Sequence, residues 1–454
     1  MNPLIQQLWV RIDARVIEAI EKIESTRFQI VFVLDDQNKL VGLVTNGDVR
    51  RFLIAGGNTD ASVSECMNRT FRSVQVNSDR EQLLKLFDLG LGVIPRIDEA
   101  GCLVDLVTPE FELASPEAPI LARARAPVRV SFAGGGTDLT YYFIENRGLV
   151  LNTTVALYCH ATLVPRGDKQ INLYSEDLHT HVHFPHLEKL LETGAKDLLS
   201  AVVSVVKPSY GFDLYVRSDF PVGSGLGGSS AVATAIVAVF NEMRLDHWSP
   251  YEIAELAFLA ERLCFGVAGG WQDQYASAFG GFNLIELDGS KNLVHAIRLE
   301  KSVMSELEEC LIMCNTMISH DSGDLHNQQR RSVESTNKTA HLEKMVGICR
   351  DMHQHLLKGE LLSFGKCLDA AWQLKRDLSK AISNAQIDQI YNSAMAAGAL
   401  GGKLLGAGAG GHFLFFVLPQ HRMAVTNALR TMGCKTSSFK LEPEGVTSWR
   451  TRLQ

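Results

Sequence analysis

The sequence predicts a protein of the α+β class, built from a small N-terminal part and a larger C-terminal part. Residues 31–45 and 94–108 repeat one pattern of strand, acidic turn and strand, each after an amphipathic helix. A segment with two prolines, residues 115–119, then interrupts regular structure and predicts a domain boundary. Beyond it, an alternating strand at residues 126–132 and a buried helix at residues 231–240 indicate a second core.

The two copies in the N-terminal part are offset by 63 residues. Repeats of this length usually cover each other's apolar faces. The helix before each copy carries three apolar residues, namely Ile17, Ile20 and Ile23 in the first and Leu83, Leu84 and Phe87 in the second. We therefore expect the two copies to form one packed module.

This module, over about residues 5–112, resembles a tandem pair of cystathionine-β-synthase-type (CBS) domains. The first copy ends with Thr45 and Asp48, which fit the Thr-x-x-Asp that holds the ribose of an adenosine ligand in that family. In the second copy Thr108 is present, but Phe111 stands at the aspartate position. The resemblance implies that at most one cleft binds an adenosine nucleotide. A packing or dimerisation module that binds nothing is the alternative.

The composition argues against several classes of partner and against a membrane location. A net charge of −7 and a pI near 6.1 argue against a nucleic-acid or anionic-membrane partner held by bulk charge. The longest apolar run, residues 231–240, has about half of the roughly 20 residues that a membrane span needs. The first residues lack the pattern of a secretory signal, and nine scattered cysteines suggest reduced thiols. We expect a cytoplasmic protein.

A glycine-rich loop at residues 221–231 leads directly into the buried helix. The backbone of such a loop can approach a ligand closely, and the helix start offers free N–H groups to a phosphate. The candidate phosphate-binding residues are Gly223, Ser224, Gly225, Leu226, Gly227, Gly228, Ser229 and Ser230. The loop is neither a P-loop nor a dinucleotide-binding motif, and by itself it could be a tight turn.

The strand at residues 126–132 reads as half-buried, with Val128, Val130 and Phe132 on one side and Arg129 and Ser131 on the other. It runs into three glycines, residues 134–136, followed by Thr137 and Asp138. Asp138 can accept hydrogen bonds from sugar hydroxyls. A surface ion pair for Arg129 and a turn position for Asp138 are the alternatives.

A helix predicted to start at Ser249 carries Ile253, Ala257, Glu261 and Cys264 on one stripe. A buried Glu261 needs a cation, and Mg²⁺ or a paired arginine would serve. Asp273 follows in a turn flanked by glycines, which suits chemistry better than core packing. A second glycine-rich loop, residues 403–411, precedes a predicted strand at residues 412–418 and would pack beside the phosphate site.

Three motifs in this order, residues 126–138, 221–231 and 403–411, resemble those of the GHMP kinases, named for galactokinase, homoserine kinase, mevalonate kinase and phosphomevalonate kinase. The resemblance covers about residues 120–454. It implies a ribosomal S5 domain 2-like N-terminal part and a ferredoxin-like C-terminal part after the CBS pair. We expect the CBS pair at residues 1–114, a linker at 115–120, an ATP-binding domain at 121–300 and a C-terminal domain at 301–454.

The resemblance also implies roles for the residues at matching positions. Residues 223–230 would wrap the triphosphate of ATP, Ser230 and Glu261 would hold Mg²⁺, and Asp273 and Arg129 would be catalytic. The sugar-binding candidates are Gly135, Gly136, Thr137, Asp138, Gly408 and Gly410. Ala409 stands where the third motif usually has glycine.

Within this family, residues 125–138, 152–154 and 400–406 resemble the D-glycero-D-manno-heptose 7-phosphate kinases. Such kinases phosphorylate the anomeric hydroxyl and make a 1,7-bisphosphate for nucleotide-activated heptose and bacterial surface polysaccharides. A phosphorylated substrate needs a second cationic site. The candidates are Arg330, Arg331, Lys375 and Arg376. The group often has arginine where His320 stands, which leaves another sugar, such as fucose or a uronic acid, as an alternative.

Two further alternatives come from the residues themselves. His179, His181 and His183 alternate on a predicted strand, so they are either exposed strand side chains or a metal site. A nucleotide-sensing regulatory protein on an inactive kinase scaffold is the rival to an enzyme. The presence of Arg129, Ser230, Glu261 and Asp273 argues against that rival. We expect a homo-oligomer formed through the CBS pair.

Overall fold

The computed structural model describes residues 7–26, 28–109, 120–318 and 339–452. The chain divides into two compact units, Met1–Glu117 and Ala118–Gln454. Both contain helices and strands, and the predicted α+β class is confirmed. Of the predicted linker, residues 115–119 lie outside the described residues, and so do Phe111, His320, Arg330 and Arg331.

The N-terminal unit contains two small sheets of three strands each. Its strands are β1 (Trp9–Arg11), β2 (Ile30–Leu34), β3 (Leu40–Thr45), β4 (Val74–Gln75), β5 (Ile94–Ile97) and β6 (Leu103–Val107). Its α-helices are α1 (Val16–Glu24), α2 (Asn46–Ile54) and α3 (Arg80–Asp88). In each sheet the first strand pairs in parallel with the second, which pairs antiparallel with the third. The repeat seen in the sequence is therefore a repeat of topology.

The helices of this unit bury a narrower face than the sequence suggested. In α1 the buried residues are Val16, Ala19 and Ile23. In α3 Leu83 is buried, whereas Leu84 is 53% exposed. The expectation for Leu84 is wrong because this residue lies about 100° around the helix from Leu83 and the buried face of α3 does not extend that far.

The C-terminal unit has twelve strands in its described part. They are β7 (Ile120–Ala133), β8 (Gly148–Arg166), β9 (Ile171–Ser175), β10 (Thr180–Phe184), β11 (Gly211–Ser218), β12 (Phe282–Leu287), β13 (Asn292–Ala296), β14 (Leu311–Asn315), β15 (Ala399–Leu404), β16 (His412–Val417), β17 (Lys435–Ser438) and β18 (Thr447–Arg452).

The described helices of this unit follow the same chain order. They are α4 (Thr140–Phe143), α5 (Leu187–Thr193), α6 (Leu198–Val206), α7 (Gly228–Glu242), α8 (Pro250–Phe258), α9 (Gln272–Phe279), α10 (Lys301–Cys310), α11 (Thr339–Leu357), α12 (Leu361–Leu378), α13 (Ala385–Ala396) and α14 (Pro419–Thr431). A π-helical turn, Leu259–Cys264, continues α8. None of the helices in the described parts of the chain is long and apolar enough to cross a membrane.

An eight-stranded sheet is built around the long antiparallel hairpin of β7 and β8. Strand β8 also pairs with β11 and β12, while β18 covers the outer edge of β7. The buried helix α7 packs against β7 and β8, and its apolar residues from Ala231 to Phe240 are almost all in the core. This arrangement fixes the start of α7 beside the end of β7.

A second sheet has the order β15-β16-β14-β17, and all its described pairs are antiparallel. Strand β16 is buried at every position, because helices cover it and neighbouring strands flank it. The loop between β15 and β16 is the third glycine-rich motif, so this sheet carries that loop to the site described below.

Two predicted features of the C-terminal unit are wrong. The second half of β7 is buried on both faces, including Arg129 and Ser131, because helices α7, α9, α11 and α12 all contact this strand. Cys264 is exposed rather than on the buried stripe. The π-helical turn explains this second difference, since one extra residue per turn rotates the positions after Glu261 away from the core.

Candidate active site

Arg129, in the second half of β7, connects the first two motifs. Its side chain is 5% exposed, and its Nε donates to Asp273 Oδ1 at 2.7 Å. A terminal nitrogen of the same guanidinium donates to the Gly225 carbonyl at 3.0 Å. The backbone N–H of Arg129 donates to the Leu226 carbonyl at 3.0 Å. The pair of Arg129 and Asp273 therefore lies directly against the glycine-rich loop.

The glycine-rich loop ends at Gly227, which has a φ of +75° and stands at the start of α7. A Cβ on Gly227 would lie 3.2 Å from Arg129 Cζ and 3.3 Å from Asp273 Oδ2. The third motif packs directly against this loop, since a Cβ on Gly406 would lie 2.7 Å from the Cα of Gly225. The second and third motifs thus touch backbone to backbone, as the sequence predicts.

Glu261 lies on the π-helical turn and is fully buried. Ser229 and Ser230, in the first turn of α7, both donate their hydroxyls to its carboxylate, Ser230 at 2.7 Å from Oε2. Gln274 Nε2 donates to the same Oε2 at 2.7 Å. Arg262 completes the set, with a nitrogen 3.1 Å from Oε1. The arginine pair weighed as an alternative to Mg²⁺ is therefore present in this structure.

The hydroxyl of Ser230 and the carboxylate of Glu261 also fit a magnesium ion. Both offer oxygen atoms, the ligands that Mg²⁺ prefers. Ser230 Oγ and Glu261 Oε2 are 2.7 Å apart, so one ion could contact both. In the described part of the chain, no group of three or more His, Cys, Asp or Glu side chains could hold a metal. A site with few protein ligands suits Mg²⁺, which keeps its remaining positions for phosphate and water.

The sequence suggested that Asp273 lies in a loop between glycines. In the structure it is the second residue of helix α9. Its carboxylate is 13% exposed and faces two guanidinium groups, Arg129 at 2.7 Å and Arg262 at 3.8 Å. The start of a helix favours a negative charge, because the peptide dipoles point their positive ends there. Arg262 thus contacts both acidic groups, Glu261 and Asp273.

Asp138 is fixed by one donor from its own motif and one from the start of α9. The Gly136 N–H donates to Oδ1 at 2.8 Å, and Gln272 Nε2 donates to Oδ2 at 2.9 Å. Burial raises the pKa of the Asp138 carboxyl, and the negative charge of Asp273 raises it further. The hydrogen bonds from Gly136 and Gln272 oppose that rise. A carboxyl held in this way can pair with sugar hydroxyls.

Two buried lysines approach the same place from the C-terminal third of the chain. Lys375, on α12, donates its Nζ to the carbonyls of Leu404 and Gly406. Burial lowers the pKa of Lys375 to about 7, with a contribution from the positive charge of Arg129. Lys403, on β15, donates to the carbonyls of Ser131 at 2.6 Å and Phe132 at 3.2 Å. Burial also lowers the pKa of Lys403 well below its usual range.

These groups enclose one small polar cavity. Its walls include Arg129, Asp138, Asp273, Lys375, Lys403 and Gly406. Two buried polar atoms that line it, Ser131 Oγ and Gln272 Oε1, have no hydrogen-bond partner among the described residues. Buried polar atoms are normally paired, so these two indicate a polar ligand at this position.

The structure places some predicted site residues elsewhere. Gly135 and Gly136 line the cavity, but Thr137 is fully buried and bonds to the backbone of Gly134 and Leu149. Gly408 packs against Ile382. The third motif contributes Lys403 and Gly406 to the described lining of the cavity, and not the predicted Gly408 and Gly410. Arg376 pairs with Asp388 at 3.1 Å.

Two predicted features outside the cavity have local partners. Thr45 and Asp48, in the N-terminal unit, form a reciprocal cap at the start of α2. His181 and His183 both contact the Asn172 side-chain oxygen, at 3.3 and 2.9 Å. The described residues form no metal site at these histidines.

Five polar residues of the site were not among the sequence candidates: Ser131, Arg262, Gln272, Gln274 and Lys403. The sequence contains a signal for Lys403 alone, since a lysine inside an apolar strand needs buried partners. The other four carry no such signal, because their roles depend on contacts in the folded site, such as that of Gln272 with Asp138 and that of Arg262 with Asp273.

Comparison with known proteins supports the family suggested by the three motifs. Family models described as "GHMP kinases N terminal domain" and "GHMP kinases C terminal" match residues 194–281 and 352–436. A family model described as "CBS domain" matches residues 4–55. This match covers the first copy of the N-terminal repeat. The second copy has the same strand pairing as the first.

Individual relatives agree with these matches. The chain is 35% identical to a D-glycero-alpha-D-manno-heptose 7-phosphate kinase of Campylobacter jejuni, over 72% of this chain and 98% of that protein. A D-glycero-D-manno-heptose 1-phosphate kinase of Bacteroides thetaiotaomicron superposes with a TM-score of 0.61 at 28% identity, over 72% of this chain and 98% of that one.

A more distant structure shares the fold. The galactokinase of Lactococcus lactis superposes with a TM-score of 0.59 at 20% identity, over 72% of this chain and 95% of that one. The predicted resemblance to the GHMP kinases and the predicted kinase activity are confirmed by these comparisons. The chain belongs to the GHMP kinase family and carries a CBS domain at its N-terminus.

Proposed function

We propose that this kinase uses ATP and Mg²⁺ to phosphorylate the anomeric hydroxyl of D-glycero-D-manno-heptose 7-phosphate. The product would be the 1,7-bisphosphate, made in the cytoplasm for nucleotide-activated heptose and surface polysaccharide. The observation that carries the proposal is the buried cavity where Asp273 meets Arg129 beside the unpaired Ser131 Oγ and Gln272 Oε1. The 35% identical relative, a heptose 7-phosphate kinase, supports this choice of sugar.

In the proposed reaction the sugar oxygen forms a bond to the terminal phosphorus of ATP as the bond from that phosphorus to the ADP oxygen breaks. Asp273 orients the hydroxyl and accepts its proton, which then passes to solvent. Arg129 holds Asp273 in place through the 2.7 Å contact and places positive charge beside the transferred group. Most of the rate enhancement would come from alignment and charge stabilisation.

The start of α7 would hold the triphosphate. Its backbone N–H groups and the preceding loop, residues 223–230, offer donors and the positive end of the helix dipole. Ser230 and Glu261 would hold Mg²⁺, which supplies charge neutralisation to the phosphate oxygens. Arg262, whose guanidinium is 3.1 Å from Glu261 and 3.8 Å from Asp273, would hold these two carboxylates in fixed positions relative to each other.

Asp138, Ser131 and Gln272 would bind the sugar hydroxyls, together with the backbone of Gly135 and Gly136. The phosphate already on the substrate needs a cation of its own. Lys375 lines the cavity and would contribute to that site, and Arg330, Arg331 and Arg376 remain proposed additions. Gly408 and Gly410 would contribute to substrate binding only through the backbone conformation of the third motif.

For the N-terminal unit we propose a regulatory module that binds an adenosine nucleotide and joins chains into a homo-oligomer. Thr45 and Asp48 would hold the ribose, a role compatible with their present position at the start of α2. Domain limits of 1–114, 121–300 and 301–454 remain our proposal for the functional parts. Calorimetry with adenosine nucleotides on the full chain, with and without Asp48→Ala, tests this binding.

A panel of sugars with ATP, analysed by phosphorus NMR, tests the catalytic proposal. We expect turnover of heptose 7-phosphate, with the new phosphate on the anomeric oxygen. Asp273→Asn should lower kcat by about 10²–10⁴-fold, as expected for loss of a positioned base. The exposed substitution Asp246→Asn is the matched control and should change nothing.

The other outcomes decide between the alternatives. Turnover of an unphosphorylated hexose, such as fucose, or of a uronic acid, without heptose 7-phosphate turnover, would overturn the substrate. Full activity in Asp273→Asn would overturn the catalytic assignment. No phosphoryl transfer to any sugar, with nucleotide binding intact, would favour a regulatory protein on a kinase scaffold.

A further inference from the structure

The large sheet of the C-terminal unit has an open face that carries a row of side chains across six strands. Each member pairs directly with the next in the strand register. In order from β10 to β18, the row is His181, Tyr174, Tyr215, Thr162, Arg123 and Trp449. The flanking β8 residues Ala161 and Leu163 are buried on the opposite side of the sheet, which fixes the direction of the row.

Three rings of this row form a rigid stack. The Tyr174 ring lies 4.3 Å from that of His181 and 4.6 Å from that of Tyr215, with planes within 6° of parallel. This spacing matches the distance of about 4.8 Å between neighbouring strands. The next position in the stack therefore lies over Thr162, one strand further along, where no ring is present.

The gap over Thr162 is wide enough to hold one planar ring. Tyr215 and Arg123 are two strands apart, about 9.6 Å. A ring stacked between two planar groups at about 3.5 Å from each needs about 7 Å. The slot belongs to an open cavity of about 620 Å³, within the range of small-molecule sites.

The groups that border the slot are exposed and ready to bind. Tyr215 is 45% exposed and Trp449 is 41% exposed. The Arg123 side chain is exposed and makes no hydrogen bond or ion pair with any residue that the structure describes. A guanidinium stacks well on a planar ring, so Arg123 can close the slot from the side opposite Tyr215.

A second row, two residues along the same strands, supplies charge. Arg217 and His160 are register neighbours there, and both contact the carboxylate of Asp219, at 3.4 and 3.2 Å. Among the described lining residues of the cavity, Glu176 is acidic. Arg123 and Arg217 place positive charge beside the aromatic slot, which favours a ligand that joins a ring to an anion.

We propose that this face is a binding site for a nucleoside phosphate, either free or as the nucleotide part of a nucleotide-linked sugar. The base lies over Thr162 between Tyr215 and Arg123, and the phosphate lies toward Arg217 and His160. The site is separate from the cavity at Asp273 and does not depend on the sugar that the kinase phosphorylates.

Calorimetry on the full chain tests this proposal, with AMP, GMP, CMP and UMP as probes and UDP-glucose as the sugar-linked arm. We expect at least one probe to bind, and Thr162→Phe to raise its dissociation constant tenfold or more, because the new ring fills the slot. Thr162→Val, which keeps the slot open, should change it less than threefold. Arg123→Ala should weaken binding severalfold.

The comparison with Thr162→Val separates this site from any nucleotide site in the N-terminal unit or at the glycine-rich loop. A probe that binds all variants alike would overturn the proposal. A raised KM for ATP in Thr162→Phe would also overturn it, by making the slot part of the catalytic nucleotide site. So would a change of oligomeric state in Thr162→Phe without any nucleotide binding, since the face would then be a protein interface.

Discussion

Gly227→Ala tests whether the glycine-rich loop must lie against the pair of Arg129 and Asp273. The new methyl group would lie 3.2 Å from Arg129 Cζ and 3.3 Å from Asp273 Oδ2, closer than carbon contacts normally allow. The left-handed backbone at φ +75° adds about 1–2 kcal/mol of strain, offset by about 0.4–1 kcal/mol from a less flexible unfolded chain. We therefore expect a loss of unfolding free energy of about 1 kcal/mol.

The effect on activity should be larger than the effect on stability. A displacement of a few tenths of an ångström at the paired side chains misaligns the proposed base, and we expect kcat to fall by about 10–100-fold. That fall corresponds to about 1.4–2.7 kcal/mol in the activation free energy. Steady-state kinetics at saturating ATP and sugar measures it, and denaturant unfolding measures the stability.

Gly433→Ala provides the matched control. Gly433 has a φ of +81°, and a Cβ there would meet nothing within 4 Å. It should therefore lose the same stability of about 1 kcal/mol while keeping its activity. If the two variants have equal kcat, or if Gly227→Ala keeps full activity, the contact between the loop and the paired side chains has no catalytic importance.

Three further predictions concern the same unit. Ala409 has a φ of +59°, so Ala409→Gly should raise the unfolding free energy by about 0.5–1 kcal/mol in denaturant titrations, whereas Ala407→Gly should lower it. Because the pKa of Lys375 is about 7 in the folded protein and has its ordinary value of 10.5 in the unfolded chain, the unfolded chain binds more protons between these values. This group should therefore add about 1.4 kcal/mol of stability per pH unit in that window, and Lys375→Met should remove this slope. Glu261→Gln should raise the Mg²⁺ concentration for half-maximal activity about tenfold or more. The exposed substitution Glu255→Gln is the control and should leave this concentration unchanged. If Glu261→Gln behaves like the control, Glu261 is not a ligand.

The features that were predictable from the sequence are those with local causes. The repeat of residues 31–45 and 94–108 follows from alternating apolar residues, and the structure has two sheets of the same topology there. The start of α7 at Gly228 follows from glycines and serines before an apolar run. Both patterns act through nearest neighbours, so the chain order alone carries them.

The features that were missed depend on contacts between distant residues. Lys403 donates to the Ser131 carbonyl across 272 positions, and Gln272 donates to Asp138 across 134 positions. The exposed Cys264 and the helical position of Asp273 depend on a π-helical turn and on the packing of α9, which residue spacing does not reveal.

The sequence by itself determined the α+β class, the order of the three motifs and the acidic and basic residues available for chemistry, because periodicity and backbone freedom are properties of short segments. Only the tertiary structure decided which of these residues meet. Glu261 gained Arg262 and Gln274 as partners, two lysines became buried beside the cavity, and one ring position was left open in the row over Thr162. Long-range packing sets the burial and the distances, and those determine both charge and reactivity.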